Sequence, residues 1–160
     1  MSLLLDELSA SLPTGPEVVR VAVRLVAAVI AGGVIGYQRE VLHKAAGLRT
    51  HMLVCTGTTL FVLAAVDLDM QHDALSRVIQ GVVTGIGFLG AGTILKIEAS
   101  HQIKGLTTAA GIWMTAALGI TIGVGHPGTA AIGTAVAWCN LATLIKLDKR
   151  IDGPNPDRTA

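Results

Sequence analysis

Two groups of side chains in this sequence have the charge and spacing for chemistry. The first falls on two similar turns. Arg39, Glu40, Arg49, Thr50 and His51 lie in YQREVLHKAAGLRTH, and Glu98, Lys104, Thr107 and Thr108 lie in and just before KGLTT. If Arg49 and His51 point inward, they form a polar vestibule with Lys104, Thr107 and Thr108 of the second turn. Polar groups inside a membrane protein are costly and tend to mark function. The plainer reading is a basic loop anchored on anionic lipid, at about 1 kcal/mol per cation near the surface. The second group is Arg24, Asp67, Asp69, Asp73 and Arg77, with Arg20 and Arg24 four apart on one helix face and Asp73 four before Arg77. It reads as a charge lattice closing the opposite end of the molecule. Three carboxylates would suit a hard cation such as Mg²⁺, but three arginines beside them weaken that reading.

Other chemistries lack their parts. Cys55, Cys139 and the five histidines show no CxxC or HExxH spacing, so neither a metal nor a cofactor is expected. Both thiols fall in apolar stretches, where they act as small hydrophobes. Gly85, Gly87 and Gly90 fit GxGxxG by letter, but a dinucleotide fingerprint needs a preceding strand and a soluble helix start. No residue set supplies a nucleophile with its base and orienter, and none joins basic with aromatic residues to hold nucleic acid. The expectation is a non-enzymatic protein that does not bind nucleic acid.

The elements that position these groups follow from hydropathy. Hydrophobic residues make up 51% of the 160 and charged residues 14%, a balance outside that of soluble domains. The sequence predicts an all-α integral membrane protein in a lipid bilayer. Five stretches approach the ~20 apolar residues of a span: Val18–Tyr37, His51–Val66, Val78–Leu95, Leu106–Val124 and Gly128–Ile145. Residues 1–17 read as a short external segment without a basic n-region, 18–147 as the membrane domain, and 148–160 as a short tail. Counting Lys and Arg places Arg39, Lys44, Arg49, Lys96, Lys104, Lys146, Lys149, Arg150 and Arg158 on one side and Arg20, Arg24 and Arg77 on the other. The positive-inside rule then puts the N-terminus outside and the C-terminus in the cytoplasm.

Shifting the sequence by 58 residues aligns Gly32 with Gly90, Glu40 with Glu98, His43 with His101, Gly47 with Gly105, Leu48 with Leu106 and Thr50 with Thr108. This predicts two related helical hairpins followed by a fifth helix. Small residues recur at four-residue spacing in Gly32/Gly36, Gly81/Gly85 and Gly119/Gly123, and Gly87, Gly90 and Gly92 enrich the third span further. Such faces let helices approach closely, either within one chain or between copies in a homo-oligomer. Asn140 is expected to hydrogen-bond across helices, and Trp113 to fill space beside glycines.

AGLRTHMLVCTGTTLF, then Arg77 leading into QGVVTGIGFLGAGTIL, then KGLTTAAGIWMTAALGITIGVG, resemble in order the membrane domain of the MgtC/SapB family of bacterial inner-membrane proteins. The likeness covers about residues 18–145. It implies a five-helix, multi-pass inner-membrane protein linked to growth at low magnesium and to virulence-related survival in host cells. For some members it also implies restraint of the F-type ATP synthase through membrane contact. The resemblance makes this chain look like the short branch without a soluble C-terminal domain. Thr107 stands where virulence-type members often carry Asn, and Met114 where they often carry Cys. A hydroxyl lacks the paired donor and acceptor of an amide, and a thioether cannot do thiol chemistry. The leading expectation is regulation through helix contacts with another membrane protein. The alternative is a small transporter or channel built around the vestibule.

Overall fold

A computed structural model describes residues 15–68, 72–97 and 102–151. It contains five helices: α1 (Gly15–Val41), α2 (Leu48–Asp67), α3 (His72–Gly92), α4 (Leu106–Gly123) and α5 (Pro127–Ile151). Within the described residues, the first four have the length and hydropathy to cross a membrane. The chain is an all-α membrane protein. Helix α1 runs further at both ends than the apolar stretch suggests, because hydropathy marks where lipid begins and not where backbone hydrogen bonding stops. Helix α2 likewise starts at Leu48, a turn before His51.

The third helix corrects the expected boundary. It was expected to reach Leu95 but ends at Gly92, where the Thr93 backbone N–H and hydroxyl both donate to the Gly90 carbonyl, at 3.0 and 2.8 Å. The chain then forms a short antiparallel ribbon, β1 (Leu95–Ile97) and β2 (Gln102–Lys104), with Leu95 opposite Lys104. Apolar residues alternate with polar ones in LKIE and QIK, the period-2 signal of a strand. Gly105 follows with φ +96°, and a Cβ there would run into the Thr93 carbonyl oxygen. Only a glycine fits that turn without strain.

Helices α1 and α2 pack antiparallel on bare backbone. A Cβ at Gly32 would stand 2.6 Å from the His51 carbonyl oxygen, and one at Gly36 would stand 2.8 Å from Leu48 Cα. Gly90 on α3 meets Ala109 on α4, and Ala109 is 58 residues after His51. The contact between the first two helices thus recurs between the next two at the offset read from sequence. Helix α4 lies at the centre, beside α2, with half of its span buried. Its neighbours enclose an apolar core of Ala28, Ile35, Cys55, Leu118 and Ile122.

Candidate functional site

The α2–α4 seam carries a ladder of buried polar groups, one rung per turn or two. At the end that holds the ribbon, the Arg39 guanidinium on α1 donates from Nη2 to Thr108 Oγ1 at 2.9 Å. A turn further in, His51 Nδ1 lies 2.7 Å from Thr115 Oγ1, and the Thr115 hydroxyl donates to the Gly111 carbonyl at 2.9 Å. Thr115 Oγ1 thus bridges the His51 ring and the backbone of its own helix. Deeper still, the single Thr59 hydroxyl proton is shared between the carbonyls of Cys55 and Gly119, both at 2.9 Å, tying α2 to α4. Cross-helix bonds of this kind average about 0.6 kcal/mol in membranes. They fix the register of the two helices more than they add stability. Among the described residues, three buried side-chain atoms have no hydrogen-bond partner: Gln38 Oε1, Arg39 Nε and His51 Nε2.

The structure separates the expected vestibule residues into four groups. Arg39, His51 and Thr108 are buried, and Thr50 is half-buried. Arg49, Lys104 and Thr107 are exposed outside the bundle. Glu40 is itself exposed, but its Oε2 accepts the Leu48 N–H at 2.9 Å and caps α2. Glu98 lies outside the described residues. The inward-facing arginine is therefore Arg39, not Arg49. Sequence held a signal for this: Arg39 is four residues after Ile35 and seven after Gly32, which puts all three on one helix face.

At the far end, the Arg24 guanidinium donates to the Gly123 carbonyl at 2.9 Å, which anchors the end of α4. Arg20 and Asp67 form an ion pair at 3.3 Å, with both side chains partly exposed. Asp73 and Arg77 are exposed, and Asp69 lies outside the described residues. Among the described residues, no three acidic, histidine or cysteine side chains gather as metal ligands.

The glycines divide sharply. Gly32, Gly36, Gly119 and Gly123 are buried against neighbouring helices; a Cβ at Gly123 would stand 2.6 Å from Val62 Cβ. Gly81, Gly85, Gly87 and Gly92 on α3 face open space, and only Gly90 of that helix meets a neighbour within 4 Å. Two of the cavities among the described residues lie on the flanks of the bundle. The larger, about 960 Å³, is an apolar groove between α1 and α5 that runs from Ala27 to Tyr37 and from Pro127 to Trp138. The smaller, about 210 Å³, lies between α4 and α5, with Thr107 and Asn140 as its polar residues.

A bundle of apolar helices with bare-backbone contacts and a polar ladder in its centre defines a multi-pass membrane protein. The chain belongs to the MgtC family, whose pattern matches residues 25–150. It is 41% identical over 140 residues to YhiD of Escherichia coli K12, whose name marks it as a candidate magnesium transporter; the match covers 83% of this chain and 64% of YhiD. It is 41% identical over 137 residues to protein SrpB of Synechococcus elongatus, covering 79% of this chain and 75% of SrpB. To protein MgtC of Salmonella typhimurium it is 36% identical over 128 residues, covering 80% of this chain and 54% of that protein. The chain thus spans between half and two thirds of the length of YhiD and MgtC. No solved structure matches it.

Proposed function

We propose that this chain is a non-catalytic regulator that acts through helix contacts with another membrane protein, in cells adapting to scarce magnesium or envelope stress. The observation that carries this reading is the outer face of α3. Gly81, Gly85, Phe88 and Gly92 follow a 4-3-4 spacing, which places them within about 60° of arc on one face and matches the seam of a left-handed helix pair. A Cβ at any of the three glycines meets nothing within 4 Å, and Phe88 is 83% exposed. Only 11% of the α3 span is buried, against 50% for α4. Bare backbone is costly in a helix, about 1 kcal/mol per Gly relative to Ala, and in lipid that cost is offset when another helix closes on it.

The occupant that fits is a transmembrane helix of a different protein. In a two-fold pair of this chain, the two Phe88 rings meet at the level where the flanking glycines would allow closest approach. A partner with a small residue facing Phe88 and larger ones facing Gly85 and Gly92 interlocks instead. The magnesium setting rests on the name of YhiD and on the family resemblance.

The test is photo-crosslinking in native membranes, with the probe at position 81 or 85 and with Leu53, 73% exposed on α2, as control position. The expected result is one membrane protein captured from the α3 positions alone, its capture abolished by Gly85→Leu elsewhere in the same chain, and loss of low-magnesium growth in that variant. Capture of only this chain, or equal capture from position 53, defeats the reading.

The name of YhiD also supports a transporter. A magnesium path through the ladder would pass the buried Arg39 cation, which repels Mg²⁺, and neither described cavity includes Arg39 or His51. Magnesium flux into liposomes that Arg39→Gln or His51→Leu alters would establish transport over regulation.

A further inference from the structure

The 58-residue offset relates α1 to α3 and α2 to α4, and the contacts between helices follow it. Helix α1 touches both α2 and α4, and α3 touches both α4 and α2. The two hairpins are therefore related by an approximate two-fold axis through the α2–α4 seam, as in parallel repeats. Helix α5 breaks this symmetry. It lies against α1 and α4 on one flank, and among the described residues no helix covers the equivalent flank between α3 and α2.

The residues that α5 covers have equivalents that are open. On α1, Ala27, Ile30, Ala31 and Val34 line the groove shared with α5, and the same positions on α3 are Gly85, Phe88, Leu89 and Gly92. Ala31 is packed in one core with Ala130 of α5 and is 7% exposed, whereas Leu89 is 50% exposed. On α4, Leu118 is 3% exposed, and a Cβ at Gly133 of α5 would stand 3.0 Å from its Cδ2. Its equivalent on α2, Leu60, is 47% exposed, and Ala64, the equivalent of buried Ile122, is exposed as well. Two separate helices thus carry the same seat, closed on one flank and open on the other.

Lipid tails can cover an apolar flank, so openness alone does not call for a protein. The backbone does. Helix α1 presents Ala27 and Val34 to α5, which stands off across the groove of about 960 Å³. Helix α3 has glycine at both positions, which lets a helix come closer there than α5 comes to α1.

Given the α3 contact proposed above, we infer that the partner's helix takes the place on α3 and α2 that α5 takes on α1 and α4, running in the same direction as α3. The direction follows from α5, which is parallel to α1 because successive helices alternate. Near the ribbon the seat is looser. There α5 is separated from Gly111 of α4 by the cavity of about 210 Å³, and Gly111 is the equivalent of Leu53, so position 53 faces a gap and remains a control.

The test maps crosslinks from the full chain in native membranes. Photo-reactive probes replace Gly81, Thr84, Phe88 or Leu89 on α3, or Leu60 on α2, all of them exposed. The attachment site on the captured protein is read by mass spectrometry. Thr84 and Leu89 lie about 140° apart on the helix, so position 89, on the side of the seat, should capture about fivefold more than position 84. Position 60 should capture the same protein. Between probes at 81 and 88 the attachment site should move about seven residues towards the partner's C-terminus, two turns of a parallel helix. With capture at 81 intact, a shift towards the partner's N-terminus, equal capture from 84 and 89, or no capture from 60 overturns this placement and leaves the α3 contact standing. No capture from 81, or capture of this chain alone, removes the contact and the placement together.

Discussion

Thr115 Oγ1 hydrogen-bonds both His51 Nδ1 and the Gly111 carbonyl, and His51 and Thr115 are shut away from solvent. Thr115→Val keeps the shape and leaves His51 Nδ1 without its hydrogen-bond partner. An orphaned buried polar atom costs about 1–3 kcal/mol, so this variant should unfold earlier in detergent by that amount, and a loss below ~0.5 kcal/mol would remove the ladder's role in fixing register. The packed glycines predict larger effects through sterics. A Cβ at Gly119 would stand 2.5 Å from the Cys55 carbonyl oxygen and run into Thr58 Oγ1. Overpacking of this sort costs about 1–3 kcal/mol or more. Gly119→Ala should therefore melt well below the native chain. Gly85→Ala, with open space around it, should stay within about 0.5 kcal/mol of native or rise slightly from better helix propensity. Similar losses for the two alanine variants would mean that α3 is packed on both faces.

At the scale of elements, the sequence told more about which stretches are helices than about which faces meet. Five helices and paired hairpins follow from hydropathy and the 58-residue offset, because lipid imposes length and apolarity on every span; the glycine-rich third span reads as the central helix, but its span is only 11% buried and α4, 50% buried, takes the centre. The GxxxG spacing of Gly32/Gly36 is the same as that of Gly81/Gly85, yet the first pair is buried against α2 and the second faces outward. Spacing shows that a backbone is bare, and only the arrangement of neighbours shows what it is bare for. Arg39 and Arg49 are a similar case. Both flank the α1–α2 turn, but Arg39 shares a face with Gly32 and Ile35 while Arg49 starts the next helix on its outer side. The ribbon is masked in the sequence because three-residue strands at the end of a long apolar helix are dominated by the helix signal. The outward face of α3 makes an element-level prediction. The double variant Gly81→Ile, Gly85→Ile should keep its melting temperature while losing the captured partner. A lowered melting temperature with capture intact would place those glycines inside the fold and remove the contact face.

For the molecule as a whole, orientation in the membrane follows from where its cations lie. The successive helices alternate in direction, so the α1–α2 turn, the ribbon and the end of α5 share one end of the bundle, and the Arg20–Asp67 pair and the α4–α5 turn share the other. The first end carries Lys44, Arg49 and Lys104 as exposed cations, even with Arg39 withdrawn into the core. The sequence places nine Lys and Arg at the first end and only Arg20, Arg24 and Arg77 at the second, where Arg24 is turned onto the Gly123 carbonyl. Under the positive-inside rule the first end is the cytoplasmic one. We therefore propose an external N-terminus and a cytoplasmic C-terminus. A fluorescent protein fused after Ala160 should be bright, and alkaline phosphatase fused at the same point should be inactive. Replacing Lys44, Arg49 and Lys104 together with Gln narrows the charge difference and should give a mixed population with measurable phosphatase activity. A native fusion with active phosphatase would reverse the orientation and place Arg39 and the start of α4 on the external side.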